Sequence, residues 1–179
     1  MKRIHALMIV CCLPAILSSC EFKCSVGNKD EEPKGTAVDK EGTKIYNSIK
    51  LNTSRVKVKR AYLEFSDRTR VPDDNFVDFT QPIKLFLIID SGWVEQDGQV
   101  FLGASEKIIV ETGDIILDEA DLFGSDTDGI SAADARVIAL TASLQLRKNI
   151  PPTSFSVQFR VWDKRGDGYI EGSYMLFSK

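Results

Sequence analysis

The sequence predicts an all-β domain, an antiparallel β-sandwich of about seven to nine strands. Three observations carry that expectation. Apolar residues recur with period two in several stretches, the run from Ile83 to Ile89 is apolar almost throughout, and Asp-Gly and Pro signals separate the runs. Period two marks strands whose two faces meet different surroundings, because successive side chains point to opposite sides of a sheet. A closed barrel would satisfy the same pattern.

The elements follow in chain order. Ala61, Leu63 and Phe65 share one face of a strand whose other face carries Arg60, Tyr62 and Glu64. IKLFLII (83–89) is apolar on both faces and is expected at the centre of a sheet. QVFLG (99–103), KIIVE (107–111) and DIILD (114–118) supply shorter strands. Ser131 and Asp134 form an S-x-x-D pattern that predicts one helical turn before the strand at 137. In VIALTASLQL (137–146), Ile138, Leu140, Ala142, Leu144 and Leu146 point one way and Thr141, Ser143 and Gln145 the other. FSVQFRVW (155–162) repeats the alternation, with Phe155, Val157, Phe159 and Val161 opposite Ser156, Gln158 and Arg160. YIEGSYMLF (169–177) closes the domain.

Ahead of this domain, assigned to 51–179, the chain reads differently. Residues 1–19 have the form of a secretory signal: Lys2 and Arg3, then the apolar run Ala6–Leu17, then Ser18 and Ser19 before Cys20. A run of that length makes roughly 18 Å of helix, short of the ~30 Å hydrocarbon core of a bilayer. Residues 21–50 carry 12 charged residues in 30 and few large apolar ones. Such a stretch buries too little surface to offset its ordering entropy and is expected to be a flexible tether over 20–50.

LSSC (17–20) resembles a bacterial lipobox, whose cysteine becomes the lipidated first residue of the mature protein. The resemblance implies a thioether-linked diacylglycerol and an acylated amine on Cys20. More than one acyl chain makes such anchoring stable. An ordinary secretory signal with chance cysteines is the alternative. Glu21 follows Cys20 in place of the aspartate that resembles an inner-membrane retention signal, so the expected address is the outer membrane. Asp30, Glu31 and Glu32 loosely resemble a surface-export signal, and a solvated spacer is the plainer reading.

Loss of residues 1–19 removes two of the 23 basic residues and none of the 26 acidic ones, taking the formal charge from −3 to −5. A net-acidic chain lacks the electrostatic footprint of a nucleic-acid binder. Cys11 and Cys12 leave with the signal and Cys20 carries lipid, so Cys24 alone keeps a thiol and no internal disulfide framework is expected. The single histidine, His5, also lies in the signal. A mature chain without histidine cannot build a Ser-His-Asp or Cys-His nucleophile or a His-ligated zinc site. No paired-carboxylate spacing replaces them, so no enzyme activity and no cofactor are expected.

WDKRGDGYIEG (162–172) begins like a helix–loop–helix calcium loop, with Asp163 at position one, Asp167 at five and Gly168 at six. Position three is Arg165 and position twelve Tyr174, where calcium needs oxygen ligands, so a hairpin turn is the stronger reading. Gly166, Asp167 and Gly168 are expected to supply positive backbone φ there. Between Lys107 and Arg136 there is no basic residue, and the acidic stretch includes Asp118, Asp121, Asp126 and Asp128. These four aspartates, with Trp93 on a loop, are the candidate residues for a protein partner or a cation. A solvated acidic edge and a core-packed tryptophan are the alternatives. Trp162, Tyr169 and Tyr174 flank the final hairpin, where exposed aromatics beside carboxylates can stack on a sugar ring or anchor a partner.

Lipid anchor, tether and small sandwich together resemble the outer-membrane lipoprotein subunit of type VI secretion machines. That resemblance implies a non-catalytic accessory subunit of a cell-envelope assembly that binds envelope proteins, with the membrane as a second partner through Cys20. The alternative is a cell-surface module that binds carbohydrate or depends on calcium.

Overall fold

Alternation in the sequence becomes two facing sheets with one core between them. The computed structural model describes residues 37–38, 42–124, 128–144 and 153–178. Cys20, Asp126, the signal segment and Leu146 lie outside the described residues.

The strands in chain order are β1 (Ala37–Val38), β2 (Lys44–Ile45), β3 (Lys50–Ser54), β4 (Lys57–Phe65), β5 (Phe76–Val77), β6 (Ile83–Ser91) and β7 (Glu95–Gln96). They continue as β8 (Gln99–Val100), β9 (Leu102–Val110), β10 (Ile115–Glu119), β11 (Ile130–Ser131), β12 (Val137–Ala142), β13 (Ser154–Asp163) and β14 (Tyr169–Ser178). Eight of these have five or more residues and form the body of the sandwich. A 3-10 turn at Asp134–Arg136 precedes β12, and its first amide donates to the Ser131 hydroxyl at 3.1 Å.

The first sheet has the order β1-β2-β4-β6-β12 and the second β10-β9-β13-β14-β3. Pairing is antiparallel except where the short strands β2 and β5 run parallel to β4 and β14. A small third sheet, β11-β8-β7, turns at Asp97-Gly98. Both turn residues have positive φ, 53° and 77°, as a two-residue hairpin requires.

β6 lies between β4 and β12, the interior position its apolar run predicts. From the first sheet Ala61, Leu63, Leu85, Leu87, Ile138 and Leu140 enter the same core as Ala104, Ile108, Val157, Val161, Ile170 and Leu176 from the second. Full burial of each such Leu, Ile or Val contributes about 1.5–3 kcal/mol. Thr141, expected to meet water, is buried instead. The outer face of the first sheet carries its own apolar row, Tyr62, Phe86 and Ala139 in register, and the rings of Tyr62 and Phe86 stack at 5.3 Å.

The domain also begins earlier than the sequence indicated. Residues 42–50, read as the end of the tether, belong to the packed structure. Tyr46, Asn47 and Ile49 are buried there. The Asn47 side-chain amide donates to the carbonyls of Val71 and Pro72 and to Asn75 Oδ1, and its Oδ1 accepts the Leu63 amide at 2.9 Å. Asn75 in turn donates to the carbonyls of Asn47 and Met175, which ties the two sheets together.

Candidate functional site

The register of the second sheet arranges its outward side chains in rows that cross the strands. Inward positions are filled by the core, so odd and even residues separate cleanly. Gly103, Trp162, Tyr169 and Ser54 form the first row. Ser105, Arg160, Glu171 and Asn52 form the second. Asp118, Lys107, Gln158, Ser173 and Lys50 form the third. The fourth is apolar but for Ser156: Ile115, Ile109, Ser156 and Met175, followed by Phe177 beside Phe76.

The middle rows line an open groove of about 730 Å³. A depression of about 360 Å³, bounded by Trp162, Tyr169 and the 163–168 turn, adjoins it at Arg160. The central charged groups are paired. Arg160 lies 4.8 Å from the Tyr169 ring centroid and 3.9 Å from Glu171, whose other oxygen accepts Asn52 Nδ2 at 2.8 Å. Lys107 and Asp118 meet at 3.1 Å. Lys50, Lys107 and Arg160 along the groove face Asp118 and Glu171, with the exposed Glu119 at its β10 edge and Glu106 buried beneath it.

The indole of Trp162 lies over Gly103. A Cβ on that glycine would fall 2.2 Å from the ring, so the tryptophan reclines across β9 only because the position has no side chain. Behind the same face Glu106 points inward from β9 and is 1% exposed. Burial raises its carboxyl from the ordinary 4.5 to about 7. Neither of its oxygens, nor the buried Tyr174 hydroxyl, has a hydrogen-bond partner among the described residues. Burial, and then the Glu106 charge, push the Tyr174 hydroxyl well above its usual range.

The residues singled out in the sequence have separate partners. Asp118 faces the groove in its pair with Lys107. Asp121 accepts the amides of Ala104 and Phe123 and meets Lys164 Nζ at 2.8 Å. Burial works against its charge, but that ammonium and the two amides outweigh it and hold its pKa below the usual range. Asp128 is exposed. Trp93 is half-buried against the core and donates its Nε1–H to the Ala135 carbonyl at 3.2 Å. Among the described residues no three His, Cys, Asp or Glu side chains are grouped to hold a metal ion.

The 163–168 loop turns the chain between β13 and β14. Asp163 is buried, its Oδ1 accepting the Arg165 amide at 2.8 Å and its Oδ2 the Val94 amide at 2.6 Å. The Arg165 guanidinium stacks on Phe101, 3.8 Å from the ring centroid. Neither glycine of the turn takes the positive φ expected of it. They are required for close approach instead: a Cβ at Gly166 would sit 2.7 Å from Val94 Cγ2 and one at Gly168 3.0 Å from Val56 Cγ2.

The groove itself was not visible in the sequence, since Asn52 and Glu171 are 119 residues apart. The outward series Gln158, Arg160, Trp162 and Tyr169, Glu171, Ser173 was a partial signal. No protein-family model matches this chain, and no curated protein or solved structure is recognisably similar to it.

Proposed function

We propose that the protein is a bacterial envelope lipoprotein, anchored through Cys20, whose sandwich acts by binding a protein partner as a non-catalytic accessory subunit of an envelope assembly. The supporting observation is the apolar row on the open face of the second sheet. Phe76, Ile115 and Met175 there are 45%, 53% and 38% exposed, and Ile116 adjoins them on β10. Large apolar side chains gathered on one face, beside polar rows, have the composition of an interface centre with its rim. The lipobox supports the anchor, and the histidine-free mature chain supports a role without catalysis.

The test is co-purification of the full lipidated chain from its native membranes after cross-linking. A partner protein in stoichiometric amount is expected with the natural chain and lost with Met175→Glu or Ile115→Glu, both on the surface. Cys20→Ser is expected to release the protein from the membrane fraction. Recovery of the chain alone, or of the same partner with both glutamate variants, overturns the docking reading.

A further inference from the structure

We propose that the opposite end of this face, built on Trp162, Tyr169 and the Arg160–Glu171–Asn52 row, is a binding site for an uncharged oligosaccharide. This goes beyond the protein-docking reading and uses different residues, so each stands or falls separately.

Sugar rings offer two surfaces to a protein: an apolar face of C–H groups and a rim of hydroxyls. The first is met by an aromatic face, and the second by side chains that both donate and accept. The first row supplies the aromatics. Trp162 and Tyr169 are register partners on adjacent strands and both bound the 360 Å³ depression. Because Trp162 reclines over Gly103, it presents its ring along the sheet. The next two rows supply the polar groups, including Asn52, Glu171, Arg160 and Gln158. Together the depression and groove cross the five strands β10-β9-β13-β14-β3, a reach of roughly 19 Å at the usual strand spacing.

Charge decides the ligand class. Apart from the buried Glu106 the groove carries three cations and three anions, and the nearest of them are already paired, Arg160 with Glu171 and Lys107 with Asp118. The charges outside those pairs, Lys50 and Glu119, lie on the edge strands β3 and β10, so along the middle of the groove an anionic or cationic ligand must break a pair to find a counter-charge. A neutral polyhydroxylated ligand leaves them intact and uses their remaining donors and acceptors, since a guanidinium has five N–H groups and a carboxylate about four lone-pair sites. The volume lies in the range of ordinary ligand sites.

The experiment is affinity electrophoresis of the full chain in gels containing dextran, mannan, xylan, galactan or mixed-linkage glucan, with polygalacturonate as the anionic counterpart. Retardation is expected in at least one neutral polysaccharide, about tenfold weaker for Trp162→Ala and unchanged for Met175→Glu. Tyr169→Ala and Glu171→Gln, at half-buried positions outside the core, give the same loss and cover the case in which Trp162→Ala does not fold. Retardation by none of the neutral polymers overturns the proposal, as does binding that survives both Tyr169→Ala and Glu171→Gln, or a preference for polygalacturonate.

Discussion

Glu106 and Tyr174 bury a carboxyl and a phenol in the same core, electrostatically coupled and each without a hydrogen-bond partner among the described residues. From β10 the exposed Glu119 is the cross-strand neighbour of Glu106, and from β13 only Phe159 adjoins it. Desolvation therefore sets its behaviour. The folded chain holds the proton to about pH 7, whereas an unfolded chain releases it near 4.5. The stabilisation from the neutral form is complete below 4.5 and is lost as pH rises to 7, an effect of about 3 kcal/mol. Glu106→Gln is expected to match the natural chain in urea unfolding at pH 4 and to exceed it by up to about 3 kcal/mol at pH 8.

Asn47 makes a different case for buried polarity, because all its groups are used. Its φ of 56° also favours asparagine over a residue with a plain Cβ. Asn47→Ala removes five hydrogen bonds and leaves the Leu63 amide and Asn75 Oδ1 without their partner. A loss of about 3 kcal/mol is expected in denaturant unfolding, reduced only slightly in Asn47→Gly. A chain starting at residue 42 should unfold at the same denaturant midpoint as the longer one, whereas a chain starting at 51 should show no cooperative transition.

Asp163 holds the last hairpin by accepting two backbone amides, and a lysine occupies the approach to Asp121. Asp163→Asn turns one acceptor into a donor facing an N–H. The variant is expected to lose about 2 kcal/mol. Its melting temperature, like that of the natural chain, should be the same in millimolar calcium and in chelator.

The long strands were legible because alternation is a local property: Phe155, Val157, Phe159 and Val161 enter the core as their spacing requires. The same rule held a signal for Glu106, which occupies the inward position between Ala104 and Ile108 in the series from Leu102. Other features depend on register, which no short stretch encodes. Trp162 meets Gly103 across two strands, and Asp121 meets Lys164 from another loop. Asn47 was hidden for a further reason: within a highly charged segment, one asparagine reads as solvated linker until its contacts 16 to 28 residues away are known.

The N-terminal strands enter on the layer opposite the groove. β1 and β2 are held by two residue pairs each at the edge of the first sheet, ahead of the Asn47 knot. A pull transmitted from upstream strips these short ladders first and then meets the knot, where the load passes into β4 and across to β14. The strands β13 and β14 at the centre of the second sheet thus lie behind both the short ladders and the knot.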